Sequence, residues 1–233
     1  MDPGLLDSVR SGDRKALSRA ITLVEHGESL GESDDVVGPI VGITGPPGAG
    51  KSTLISVLID MIRKRSETVA VLAVDPSSPL TGGAILGDRI RMQAHVDDDG
   101  VFVRSMATRG HLGGLAEAAA DAIRLMSMAG FDRLIVETVG VGQSEVEIMN
   151  LADPVVLVVG PSWGDQVQAD KAGIVEIADL YVVNKGDRPG ASDVKRALTE
   201  TADAKGAPIL VTTAATGDGV VELLAAIDDL AAG

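Results

Sequence analysis

An α/β fold is predicted for this chain, with a mostly parallel sheet of about seven strands flanked by helices and a short helical preface ahead of it. Three observations predict it. Apolar, β-branched runs recur at 36–43, 69–74, 101–103, 134–136, 155–159, 181–183 and 209–211. Helix-length segments separate them, the pattern of right-handed βαβ crossovers. The runs are continuously apolar rather than alternating, as strands buried on both faces are.

The 233 residues, 45% hydrophobic and 23% charged, suffice for one substantial domain with a proper core. The preface comes first. Leu5, Leu6, Val9, Ala16, Leu17, Ala20, Ile21 and Val24 recur near helical spacing, broken at Ser11-Gly12-Asp13, where Asp13 is placed to cap a second helix. Residues 27–35 read as a linker, and the last helix spans 220–230.

With 34 acidic against 20 basic residues, the net charge of −14 repels polyanions and argues against general nucleic-acid binding. The absence of cysteine excludes a disulfide scaffold and thiolate metal sites. The longest strongly apolar stretch, 155–159, falls far short of the roughly 20 residues of a membrane helix. The N-terminus carries acids where a signal peptide carries bases, so a cytoplasmic protein with no membrane partner is expected.

Gly45-Pro46-Pro47-Gly48-Ala49-Gly50-Lys51-Ser52 fits G-x-x-x-x-G-K-[ST] and lies between a predicted strand and a helix starting near Lys51. Backbone N–H groups of such a loop face phosphate oxygens, the helix N-terminus adds partial positive charge, Lys51 reaches the terminal phosphates and Ser52 ligates Mg²⁺. Nucleotide contacts are expected from Gly45 through Ser52 and from Thr53. The chain thus divides into a helical N-terminal extension, 1–35, and a P-loop domain, 36–233.

Two further strands deliver acids to the same edge. The run ending in Glu137 places a carboxylate beside Mg²⁺, with the N–H of Gly140 aimed at the terminal phosphate. The run ending in Asp75 repeats that geometry, and Asp88 lies farther along a glycine-rich loop, either as a third metal-side acid or as a helix N-cap. Ser52, Asp75, Asp88 and Glu137 form an all-oxygen donor set suited to a hard cation, with Lys51, Asp75 and Glu137 carrying the catalysis. Asn184-Lys185-Gly186-Asp187 has the form N-K-x-D, in which the aspartate accepts from the ring N–H and exocyclic amine of guanine and selects GTP over ATP. Thr213 and Ala214, just past the last run, are placed to contact the guanine oxygen. Residues 104–115, with two arginines and one histidine, read equally as a functional loop or as a plain loop leading into a helix.

In order, the strings G-I-T-G-P-P-G-A-G-K-S-T-L, V-D-P-S-S-P-L-T-G-G-A-I-L-G-D-R-I-R-M, R-G-H-L-G-G-L-A, E-T-V-G-V-G-Q-S-E and N-K-G-D resemble the MeaB/ArgK family of P-loop GTPases, which includes the methylmalonic aciduria type A protein. The resemblance implies a GTPase that binds GTP, GDP and Mg²⁺ and serves as chaperone to an adenosylcobalamin-dependent acyl-CoA mutase, methylmalonyl-CoA mutase in the first instance. It implies that Lys51 and Ser52 hold phosphate and Mg²⁺, that Asp75, Asp88 and Glu137 are metal and switch acids, and that Asp187 reads guanine. It makes 164–171 the family's third switch, with the paired lysines reduced to Lys171 followed by Ala172. Relatives usually continue past the last helix into a dimerisation arm, so a homodimer by that route is not expected of this sequence, and a partner mutase or another face would supply the second subunit. The alternatives are a GTP-gated binding module and a metallochaperone-type GTPase for another client.

Overall fold

The computed structural model describes residues 1–31, 38–75, 95, 97–107, 112–138, 143–163 and 174–232. Seven parallel strands form one sheet in the order β3-β2-β4-β1-β5-β6-β7. They are β1 (Ile40–Thr44), β2 (Val69–Asp75), β3 (Val101–Ala107), β4 (Arg133–Thr138), β5 (Val155–Val159), β6 (Leu180–Asn184) and β7 (Ile209–Thr212). The helices are α1 (Pro3–Arg10), α2 (Arg14–Glu25), α3 (Lys51–Lys64), α4 (Leu112–Met128), α5 (Gln143–Met149), α6 (Ile174–Ile177), α7 (Ala191–Lys205) and α8 (Val220–Ala231).

Both faces of the sheet are covered, which is why the strands are apolar throughout. On β2, Ala70, Leu72 and Val74 enter one core while Val69 and Val71 enter the other. β5 splits likewise, with Val155, Leu157 and Val159 on one side and Val156 and Val158 on the other. The first core takes its helical residues from α1, α2 and α4 through α7, and the second from α3 and α8. Among the described residues, no helix is long and apolar enough to cross a membrane.

The preface is fastened to the sheet. Asp13 caps α2 by accepting from Lys15 N at 2.8 Å and Ala16 N at 3.1 Å, and Leu17 and Ile21 are fully buried in the first core. Arg14 donates to the Val101 carbonyl at 2.8 Å, and Arg104 of β3 pairs with Glu25 of α2.

Two expectations need correction. Of the run at 36–43, residues 36 and 37 lie outside the described residues and the strand starts at Ile40, because Pro39 has no N–H to give a ladder and Gly38 turns at φ 102°. Residues 104–107 belong to β3 rather than to a loop: Arg104 and Ser105 continue the pairing with Leu72 and Ala73, and Arg104 reaches an acid on α2. Residues 164–171 lie outside the described residues, as do 108–111 of the loop.

At the amino ends of the strands the sheet is stapled by ions. Arg63 grips Asp98 through Nε at 2.9 Å and Nη2 at 3.0 Å, while Asp132 accepts the Thr68 N–H at 2.7 Å and its hydroxyl at 2.8 Å. The Arg63 hydrogen bonds and the Gly100 N–H hold the Asp98 carboxyl below its ordinary range, and the Thr68 N–H and hydroxyl do so for Asp132. A carboxyl whose folded pKa is depressed stabilises the fold above its unfolded value, near 4, and loses that contribution as pH falls through the folded value. The melting temperature is therefore expected to drop as the pH is lowered below about 4, and Asp132→Asn to flatten that drop. An identical acid profile in the variant, read by circular dichroism, would show that the pair is not linked to pH.

Candidate functional site

The site lies at the carboxyl ends of the strands, where an open α/β sheet leaves a crevice. The loop after β1 starts at Gly45, whose φ of 140° and approach to β5 leave no room for a side chain, since a Cβ would sit 2.0 Å from the Val158 carbonyl oxygen. Gly48 and Gly50 adopt φ of 78° and 94°, and Gly50 hands the chain to α3 at Lys51. Lys51 is 5% exposed and folds back over the loop, donating to the carbonyls of Gly45 at 2.8 Å and Pro46 at 3.2 Å.

One residue on, the Ser52 hydroxyl donates to Glu137 Oε1 at 3.0 Å. Glu137 is 1% exposed and sits opposite Ile43 in the β1–β4 register, so the sheet itself brings this carboxylate under the loop. A buried carboxylate and a hydroxyl in contact at a helix N-terminus are hard oxygen donors that fit a divalent cation such as Mg²⁺. Asp75 is the last residue of β2, in register with Ala107, at the same edge of the sheet. Asp88 and Gly140 lie outside the described residues.

The base-reading segment follows β6. Asn184 is 1% exposed and its side-chain amide joins three segments: Nδ2 donates to the Ala49 carbonyl at 2.9 Å, and Oδ1 accepts from the Thr212 hydroxyl and the Ala214 N–H, both at 3.1 Å. Lys185 takes φ 60°, which for a residue with a Cβ costs on the order of 1–2 kcal/mol. From there its ammonium donates to the Gly48 carbonyl at 2.6 Å. Asp187 is exposed just beyond, and Thr213 and Ala214 border the same end. Thr53 follows Ser52 in α3, half-buried.

The structure thus gathers Gly45 through Ser52, Glu137, Asn184, Lys185 and Ala214 into one hydrogen-bonded unit. Sequence reasoning missed the hydroxyl pair of Thr138 and Thr44, in contact at 2.9 Å and both buried beside the loop. It also missed Thr212 as a brace for Asn184. The available signal was a threonine at the carboxyl end of each of these apolar strands.

A parallel sheet with this loop and an N-K-x-D segment defines a P-loop GTPase. The chain belongs to the methylmalonyl-CoA mutase-associated GTPase MeaB family, whose model matches residues 17–232. A protein of Pyrococcus horikoshii named as a GTPase is 52% identical over 94% of this chain and 74% of its own length. The mitochondrial methylmalonic aciduria type A homolog of Caenorhabditis elegans is 38% identical over 78% of this chain and 51% of its own length. A crystal structure described as the LAO/AO transport system kinase superposes with a TM-score of 0.74 at 28% identity, covering 99% of this chain and 76% of that one.

Two substitutions test the site. Gly50→Ala places a Cβ 2.5 Å from Asn184 Nδ2 at a left-handed position, so a lower melting temperature and loss of GDP binding are expected. Asp187→Asn removes a charged acceptor and is expected to weaken GTP about tenfold to a hundredfold while admitting xanthosine triphosphate, whose extra carbonyl accepts from the amide. Competition binding measures both effects, and unchanged GTP affinity would remove Asp187 from the base site.

Proposed function

We propose that this GTPase is Mg²⁺-dependent and acts in the cytoplasm as a chaperone for an adenosylcobalamin-dependent acyl-CoA mutase, methylmalonyl-CoA mutase, in cofactor loading and protection. The buried Ser52–Glu137 contact beneath the loop supports the Mg²⁺ dependence, because it sets two hard oxygen donors beside the phosphate site. The mutase association in the family's name and the name of the nematode relative support the chaperone role. Cobalamin is assigned to the mutase rather than to this chain.

Hydrolysis of GTP needs little covalent chemistry from the protein; positioning and charge do most of the work. The loop N–H groups of Gly45 and of Gly48 to Ser52 orient the phosphates, and the N-terminus of α3 adds partial positive charge. Lys51 exchanges its two loop carbonyls for phosphate oxygens and follows the charge that develops on them. Asp187 fixes the guanine through two accepted hydrogen bonds, with Thr213 and Ala214 at its carbonyl. Mg²⁺, when bound, neutralises charge on the transferring phosphoryl group, held by Ser52, Glu137, Asp75 and Asp88.

The test is GTP hydrolysis by the purified chain with and without a purified adenosylcobalamin-dependent acyl-CoA mutase from the same source, with ATP as control. Stimulation by the mutase with GTP alone is expected, together with a loss on the order of a hundredfold or more in Lys51→Ala and in Glu137→Ala. Turnover that ignores the mutase, with no complex formed, would overturn the chaperone assignment and leave the GTPase intact.

A further inference from the structure

Beside the phosphate loop lies a cleft of about 410 Å³ whose described lining includes neither Ser52 nor Glu137. Pro46, Pro47 and Gly48 form one wall, and Trp163, Lys185 and Arg188 border it opposite. Three features separate it from ordinary surface. In a chain of net charge −14, none of the described residues lining it is acidic. Trp163 is 2% exposed, and its indole N–H, a donor, has no hydrogen-bond partner among the described residues. Arg188 is exposed at the rim, offering five N–H donors in a fixed fork.

A buried donor without a partner beside an exposed guanidinium suits an anionic ligand. The walls say which kind. Pro46, Pro47, Pro161 and Pro189 all line the cleft, and proline has no N–H, so these four offer a free phosphate no backbone donor. What the cleft offers instead is an apolar shelf of prolines and indole with a guanidinium at the rim. That combination matches a carboxylate carried on an apolar stem, as in an acidic peptide, with the carboxylate forked by arginine.

The cleft also shares a wall with the nucleotide site. Lys185 borders the cleft while its ammonium holds the Gly48 carbonyl at 2.6 Å. A carboxylate entering beside it competes for that ammonium and draws it off the loop. We propose that this cleft is a docking site for an acidic segment of a protein partner, and that docking loosens the phosphate loop through Lys185 and speeds release of GDP. The docking claim stands on the cleft alone; the coupling claim rests on the nucleotide site described above.

Trp163 is the chain's single tryptophan, so its emission reports the cleft directly. The full chain is titrated with a hexaglutamate peptide, and separately with inorganic phosphate, at matched ionic strength, while release of a fluorescent GDP analogue is followed in parallel. A saturable change in emission with the peptide is expected, weakened about tenfold in Arg188→Ala and less in Arg188→Lys, because arginine alone forks a carboxylate. Faster GDP release with peptide is expected in the wild type and absent in Arg188→Ala. No saturable change, or one equal in Arg188→Ala, overturns the docking site. Tighter response to phosphate than to peptide overturns the peptide assignment in favour of a free anion. An emission change with unaltered GDP release overturns the coupling, whereas failure to bind GDP at all, with the emission change intact, faults the nucleotide site and not the cleft.

Discussion

The side-chain amide of Asn184 is the joint on which the site depends. Glycines give the loop after β1 its shape, but they also leave it free to take many others, and something outside the loop must select one. Asn184 does so by donating to Ala49 while accepting from Thr212 and Ala214. The joint is fully buried, so breaking any one of these bonds strands a polar group at a cost of roughly 1–3 kcal/mol. Its geometry is inherited from the sheet, because Asn184 closes β6 opposite Thr212 in the ladder. The phosphate end and the guanine end of the crevice are therefore one rigid piece.

The two ends of the sheet divide the electrostatic work. At the amino ends, charges are spent on each other: Arg63 on Asp98, and Arg133 on Glu67 and Asp228. Burial pushes the Asp228 carboxyl up, but the hydrogen bonds from Arg65 and Arg133 outweigh it and hold the group below its ordinary range. At the carboxyl ends, the buried Lys51 donates to two loop carbonyls and the buried Glu137 accepts from the Ser52 hydroxyl, contacts that phosphate and metal can replace.

Most of the architecture was legible because burial on both faces writes itself into the chain as uninterrupted apolar runs, and all seven became strands. The cap at Asp13 was legible because it is local, a side chain answering N–H groups two and three residues away. The extension of β3 was not. Arg104 looks like a loop residue until the long-range contact to Glu25 exists, and no periodicity encodes a pairing 79 positions apart. The loop, Glu137 and the N-K-x-D segment announced themselves by type and spacing. The brace by Thr212 and the Thr44–Thr138 pair did not, since a threonine closing a strand is unremarkable until its neighbour across the sheet is known.

The two cores are closed by very different parts of the chain. The first draws on helices from both halves, beginning with α1, whereas the second is covered only by α3 and α8 among the described helices. Val41, Val156 and Val158 on that face await Leu223, Leu224 and Ile227. A chain emerging from the ribosome in order has α3 early and α8 last of all the described elements. Until α8 has been made, the face under the phosphate loop stays half roofed, which makes it the surface that holding chaperones would meet and ties the completion of the nucleotide site to that helix.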